Sequence, residues 1–83
     1  MTYTVRFFAS IREAVGVGSE SVASQAATVG QLRDELIARG GAWAEALARG
    51  RAVRASVNQV MAVDETPLPQ AAEVAFFPPV TGG

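Results

Sequence analysis

Residues 73–83 read EVAFFPPVTGG, and the strand with which this stretch begins sets the architecture of the rest of the chain. Val74 and Phe76 face one side of that strand and Ala75 and Phe77 face the other, because successive strand residues alternate. The two prolines that follow lack a backbone N–H donor, so the strand ends before them. Residues 73–77 therefore predict a strand with two aromatic side chains on opposite faces.

Residues 78–83 form the predicted tail. Pro78 and Pro79 fix the backbone torsion φ, whereas Gly82 and Gly83 have no side chain and give the thinnest backbone available. This combination predicts a stiff stalk with a narrow, flexible tip that ends in the α-carboxylate of Gly83. Such a tail can enter a tight channel of another protein and present its carboxylate there. A Gly-Gly pair taken alone is equally typical of a frayed chain end.

The composition restricts the chemistry that the chain can perform itself. The sequence contains no His, Cys or Lys, and all seven basic residues are Arg. It therefore lacks the usual general base, a thiol nucleophile, an amine for Schiff-base chemistry and any soft thiolate ligand for a metal. The carboxylate of Gly83 is then the most available reactive group. The lack of cysteine also excludes disulfides and is typical of a cytoplasmic protein.

Length and charge exclude further classes of protein. The 83 residues predict one domain, residues 1–83, with a modest core. The net charge is −1 and the arginines do not form a basic run, which argues against nucleic acid as the main partner. We expect no signal peptide and no membrane association, since no apolar run approaches the ~20 residues that a membrane span needs.

Four further strands are predicted, at Tyr3–Ala9, Glu20–Ala23, Arg51–Asn58 and Val60–Val63. Within the first of them, Phe7 and Phe8 must face opposite sides of the sheet. A turn at Asn58 and Gln59 joins the third to the fourth, because Asn tolerates unusual backbone angles.

Three helices are predicted, at Ser10–Val15, Thr28–Arg39 and Ala42–Arg49. Ser10 with Glu13, and Thr28 with Gln31, have the spacing of capping boxes. The second helix is the main one: its apolar stripe predicts a buried face, and Arg33, Asp34 and Glu35 are predicted to lie away from it. Gly40 and Gly41 are expected to end it. In the third helix Trp43 lies four residues before Leu47, which favours a role in covering the core over a role in binding.

These elements predict an α+β protein of the β-grasp type, with a mixed sheet packed against one main helix and short helices. The first and last strands carry the most aromatic residues and are predicted to be central. A small barrel built from hairpins is the main alternative, and the long helix at Thr28–Arg39 argues against it.

The chain resembles the small, sulfur-carrying subunit of molybdopterin synthase over nearly its whole length. Three segments carry the resemblance: Phe7–Ala9 with Ile11–Glu13 after it, Val57–Gln59, and Glu73–Gly83. A Gly-Gly end occurs in every ubiquitin-like protein, so the specificity lies in the whole closing run combined with the opening. One departure is Gln70-Ala71-Ala72, where similar chains carry an Asp-Gly type of turn.

The resemblance implies a ubiquitin-like fold and a role in molybdenum cofactor biosynthesis. A partner adenylating enzyme would use ATP and magnesium to join the Gly83 carboxylate to AMP, and sulfur from a donor protein would displace AMP to leave a thiocarboxylate. The tail, Pro79, Val80, Thr81 and Gly82, would insert into the large synthase subunit. There the thiocarboxylate would supply sulfur for the dithiolene of the pterin.

The same resemblance implies that this subunit binds no cofactor or metal itself and is not catalytic alone. It would act as part of a sulfurtransferase complex of two small and two large subunits. The implied partner interface contains four residues: Phe8, Arg12, Met61 and Phe77. Strand parity allows the three apolar ones to face outward while Phe7 and Phe76 fill the core. Burial under a helix or loop is the alternative for those three, and an ordinary solvated side chain is the alternative for Arg12.

Three other functions stay open at this point. A sulfur carrier for thiamine synthesis or tRNA thiolation would share the tail chemistry. A protein modifier would become attached to lysines of other proteins through the same carboxylate. A plain binding module would carry an inert tail.

Overall fold

One mixed sheet and three helices make up residues 1–79, the part of the chain that the computed structural model describes. The strands are β1 (Thr2–Phe7), β2 (Ser19–Ala23), β3 (Arg54–Val57), β4 (Val60–Ala62) and β5 (Glu73–Phe77). The helices are α1 (Ala9–Val15), α2 (Val29–Ile37) and α3 (Gly41–Ala46).

The strands lie in the order β2-β1-β5-β3-β4, so the first and last strands of the chain are central, as predicted. β1 and β5 run parallel, with Phe7 opposite Phe76, and every other pair is antiparallel. Asn58 and Gln59, the turn between β3 and β4, both have positive φ values. Two consecutive residues of this kind form the tight hairpin turn whose twist suits a β-sheet.

One face of the sheet is covered by all three helices. Alternate residues of β1 are buried, which is the pattern of a strand with one face in the core. Phe7 and Phe76 stack with their ring centroids 6.3 Å apart, and Trp43 of α3 meets Phe7 edge-on at 5.1 Å. Trp43 thus covers the core, as its spacing predicted. The helices contribute four large buried side chains to the same cluster, Ile11, Val29, Leu32 and Leu36, and Leu47 joins it directly after α3.

Helix α2 begins as predicted and is shorter at its end. Thr28 is its N-cap, and the hydroxyl oxygen of Thr28 accepts a hydrogen bond from the backbone N–H of Gln31. The side chain of Gln31 accepts instead from the N–H of Ala27, one residue before the position expected in a capping box. The helix stops at Ile37, ahead of Gly40, which has a positive φ.

The predicted N-cap of α1 is wrong. The helix begins at Ala9, and Phe8 is its N-cap with no hydrogen bond from a side chain. The carbonyl of Phe8 accepts from the N–H groups of Ile11 and Arg12, so the backbone itself closes the first turn. Ser10 consequently lies inside the helix, where its hydroxyl does not cap.

Arg33 is the largest correction to the sequence analysis, because it is buried and not directed into solvent. Only 7% of its surface is exposed, and its guanidinium donates to the carbonyls of Leu47, Ala48 and Arg51. These bonds hold residues 47–51 in a loop. Helix α3 therefore ends at Ala46, not at Arg49, and β3 begins at Arg54, not at Arg51.

The observed architecture is the ubiquitin-like β-grasp fold, α+β with a mixed sheet wrapped on one main helix, as predicted. The hairpin barrel is excluded because β2 and β4 are open edges of a single sheet. Within residues 1–79, no helix combines the length and the apolar character that crossing a bilayer requires.

Candidate functional site

The face of the sheet opposite the helices carries the aromatic side chains that the core does not use. We call it the open face, and define it by the outward residues Arg6 and Phe8 of the first segment, Ala75 and Phe77 of β5, Arg54 and Ser56 of β3, and Met61 of β4. Their order across the sheet follows from the register: Arg6 lies opposite Ala75, Ala75 opposite Ser56, and Ser56 opposite Met61.

Phe8 is fixed at the junction of a strand and a helix. Its backbone N–H donates to the carbonyl of Phe76 at 3.2 Å, which extends the ladder one residue beyond β1. Its carbonyl accepts the first hydrogen bonds of α1, as described above. The ring therefore has a rigid base although 38% of the residue is exposed. The guanidinium of Arg6 lies 5.3 Å from the ring centroid, within the range of a cation–π contact.

Phe77 is the last residue of β5 and lies opposite Arg54 of β3. It is half-buried, whereas its neighbour Phe76 is 0% exposed on the other face. Phe77 also directly precedes the tail, so the half-buried ring and the start of the tail are placed by the same central strand.

Met61 belongs to the same face. It lies on the edge strand β4 opposite Ser56, which in turn lies opposite Ala75. The residue is 59% exposed. The structure therefore brings Phe8, Phe77 and Met61 onto one side of the sheet, which agrees with the predicted parity.

Arg12 is not on the sheet. It is an exposed residue of α1, and its side chain lies against Gly18, where a Cβ would come within 3.1 Å of the Arg12 Nε. A residue larger than glycine at position 18 would require the Arg12 side chain to shift by a few tenths of an ångström. The structure keeps Arg12 accessible but does not join it to the three apolar residues of the open face.

The tail starts beside α1 and the loop before β3. Pro78 lines a cleft together with Ser10, Ile11, Arg51 and Val53. Pro78 and Pro79 are both half-buried, so the body of the protein supports the first part of the tail. The remaining predicted site residues, Val80, Thr81, Gly82 and Gly83, lie outside the described residues.

The composition of the open face is more typical of a binding surface than of a catalytic site. Its centre is apolar, and it is flanked by guanidinium groups that are hydrogen-bond donors only. Within residues 1–79 no group of three or more His, Cys, Asp or Glu side chains is arranged to hold a metal ion.

Arg6 and Arg54 are members of this face that were not predicted as site residues. Arg6 shares the strand parity of Phe8, and Arg54 shares that of Ser56, so alternation alone placed both of them outward. The missing information was the register, which sets Arg54 opposite Phe77 and Arg6 one position away.

A family model and the sequences of known relatives place the chain in one family. The model of the ThiS family matches residues 5–83. The chain is 47% identical to the molybdopterin synthase sulfur carrier subunit of Escherichia coli K12 and 40% identical to that of Haemophilus influenzae Rd. Both alignments cover 95% of this chain and 96% of the relative.

A solved structure extends the likeness to an assembly. The chain superimposes with a TM-score of 0.67 and 26% identity on a protein in the complex of subunits 1 and 2 of the molybdopterin-converting factor from Helicobacter pylori. The match covers 100% of both chains.

Proposed function

The chain belongs to the ThiS family, and from that membership we propose that it is the sulfur carrier subunit of molybdopterin synthase. One structural observation carries the proposal. The central strand β5 ends in a half-buried aromatic ring on the open face and runs directly into Pro78 and the tail. A partner that binds this face is thereby positioned to receive the end of the chain.

The chemistry takes place at the carboxylate of Gly83. A carboxylate is a poor electrophile until its oxygen becomes part of a good leaving group. The adenylating enzyme uses ATP and magnesium to make the acyl adenylate and releases pyrophosphate. Sulfide-level sulfur (HS⁻) supplied by a donor protein then attacks the acyl carbon, forms the C–S bond and expels AMP, which leaves a thiocarboxylate. The chain supplies the carboxylate and the handle, and its partners supply the catalytic groups.

Delivery of sulfur requires docking on the large synthase subunit. We assign the apolar centre of the contact to Phe8, Met61 and Phe77, with Arg12 at the border. Pro79, Val80, Thr81 and Gly82 enter the large subunit and present the thiocarboxylate of Gly83 to the pterin precursor. The H. pylori complex of two different subunits supports such an assembly. We place the complex in the cytoplasm, with two small and two large subunits.

Intact mass spectrometry tests the first step. The chain is incubated with the adenylating enzyme, ATP, magnesium and a sulfur source. A thiocarboxylate raises the mass by the difference between sulfur and oxygen, and the variant that lacks Gly83 gives no such species. Deletion of Gly83 leaves the melting temperature unchanged if the glycine has no structural role. A full-length chain that never gains sulfur would contradict the proposal and favour an inert binding module.

The second step separates the other candidates. A thiocarboxylate that the large subunit uses to convert the pterin precursor supports the proposal. If the thiocarboxylate forms but that subunit does not use it, the chain is a carrier for another pathway. If incubation with other proteins yields adducts at their lysines, the chain is a protein modifier.

A further inference from the structure

We propose that Arg6 and Arg54 flank Phe77 as a pair of cationic contacts for the large subunit, whose apolar pocket for this ring is bordered by carboxylates. The inference rests on the proposed function in taking the open face as the interface. Beyond the proposed function, the inference assigns a negative charge to the partner surface and identifies two residues that make the contact selective.

The sheet register places the two arginines on either side of Phe77. Arg54 lies directly opposite Phe77 on β3, and Arg6 lies on β1 opposite Ala75, one outward position before Phe77. Outward side chains that face each other directly on an antiparallel pair such as β3 and β5 are separated by about 4.5–5.5 Å between Cβ atoms. Arg6 is a diagonal neighbour of Phe77 on the parallel strand β1. Both guanidinium groups can therefore reach the border of any pocket that receives the ring.

In the part of the chain that the structure describes, Arg6 and Arg54 do not stabilise the fold through ion pairs, whereas two other arginines do. Arg39 pairs with Glu20, and Arg49 pairs with Asp34 and Asp64. Arg6 and Arg54 form no ion pair within residues 1–79, and both are exposed. Arg6 instead lies over the ring of Phe8, which holds the cation beside the apolar centre.

The nearby acids do not neutralise the pair. Glu73 faces the same side of the sheet but lies beyond the open face, opposite Thr4 at the end of β5 that is remote from the tail. Asp64 and Glu65 line a cleft with Arg54, but within residues 1–79 neither forms an ion pair with it, and Asp64 is bound to Arg49 at 2.6 Å. The open face is therefore positively charged on both sides of Phe77.

Two isolated arginines around an aromatic ring favour a protein surface over a nucleic acid. Phosphate binding relies on concentrated positive charge, whereas protein interfaces combine aromatic and Arg residues at their centre. Charges at the border of an interface act mainly on the association rate, through steering that salt weakens. Carboxylates around the pocket of the partner would give this behaviour.

The test compares three variants with the same change in net charge. Arg54→Gln and Arg6→Gln each remove one positive charge from the open face, and Gln25→Glu adds one negative charge at an exposed loop position. Each purified chain is mixed with the large subunit, and the association rate is measured at low and high ionic strength. We expect each Arg→Gln change to lower the rate about 3–10-fold at low salt, with the difference shrinking at high salt. Gln25→Glu is expected to leave the rate within twofold.

Arg54→Lys, which keeps the charge, is expected to restore most of the rate. The inference fails if the Arg→Gln variants bind at the unchanged rate, or if their loss does not depend on salt. It also fails if the Arg→Gln variants associate normally with the large subunit and lose association rate only with the adenylating enzyme. Phe77→Ala distinguishes this failure from failure of the interface itself. If Phe77→Ala weakens the complex while the arginine changes do not, the open face is the interface but its charges do not select the partner.

Discussion

The two faces of the sheet differ although the same strands build them. Phe7 and Phe76 are 1% and 0% exposed and stack under the helices, while the next residue along the chain in each case, Phe8 or Phe77, faces the other way. On the covered face, burial of the rings stabilises the fold of the single chain. On the open face, the same type of side chain gains full burial only when another protein covers it. In the proposed interface, residues that stabilise the fold and residues that recognise the partner would be separated by one position in sequence.

Truncating one phenylalanine at a time separates the two faces most sharply. Phe76→Ala is expected to lower the free energy of unfolding by about 3–5 kcal/mol, because it empties a fully buried site. Phe77→Ala is expected to cost about 1 kcal/mol, since half-burial involves less apolar area, and to weaken the complex with the large subunit. Urea denaturation measures the first quantity, and titration against the large subunit measures the second. Unfolding of Phe77→Ala would place Phe77 in the core and remove it from the interface.

A polar group on the covered side gives the next largest effect. Arg33→Met is expected to lower the free energy of unfolding by about 3 kcal/mol, because three carbonyls of residues 47–51 lose a charged donor. Arg51→Met is the matched control, since the Arg51 side chain is exposed and only backbone groups of Arg51 take part in the hydrogen bonds of this loop. Thermal melts of both variants give the comparison. Equal melting temperatures would mean that Arg33 does not hold the loop.

A glycine in the turn before β5 is expected to stabilise the protein. Ala71 has a φ of 57°, in the left-handed region that costs an L-residue about 1–2 kcal/mol. Ala71→Gly relieves this strain but adds backbone entropy to the unfolded state, so a net gain of about 0.5 kcal/mol is expected. Ala72→Gly, at the buried neighbour without a positive φ, is expected to destabilise. A fall in stability for Ala71→Gly would show that the turn is relaxed with alanine.

The smallest expected effect concerns the ion pair at the edge of the covered face. The hydrogen bonds from Arg39 lower the pKa of Glu20 below its ordinary value of 4.5. A carboxylate with a lowered pKa in the folded state contributes stability above pH 4.5, and this contribution is lost as the pH falls through the folded-state pKa. About a third of each side chain is exposed, so Glu20→Gln is expected to cost only about 0.5 kcal/mol at pH 7.

Denaturation curves at pH 7 and pH 3 check this pair. The difference between the parent chain and Glu20→Gln is expected at pH 7 and is expected to shrink at pH 3, because the stability from a lowered pKa declines as the pH falls below 4.5. A difference that persists undiminished at pH 3 would point to packing, and not to charge, as its source.

The alternation of residues between the two faces of a strand predicted those parts of the fold that depend on local sequence pattern. The bounds of β5 were predicted to the residue, and the opposite orientations of Phe7 and Phe8 followed from parity alone. The Thr28 cap was also predictable, because the acceptor and donor are three residues apart. The start of α1 was not, since a backbone carbonyl at Phe8 replaces the side-chain cap that Ser10 suggested.

The larger errors have a common origin in Arg33. A lone arginine beside an apolar stripe has the pattern of a solvated residue, and no local signal shows that distant carbonyls will surround it. Because those carbonyls belong to residues 47–51, the same unrecognised contact displaced both the end of α3 and the start of β3. The flanking position of Arg6 and Arg54 likewise required the register of strands that lie far apart in sequence.

The parallel pairing of β1 with β5 has a mechanical consequence. Tension applied to the tail acts along β5, which is hydrogen-bonded to β1 on one side and to β3 on the other. The two rows of hydrogen bonds then bear the load together in shear. They must break at the same time, whereas a strand pulled from its end would lose its bonds one after another. A partner can accordingly grip and release the end of this chain without unravelling the body to which it is attached.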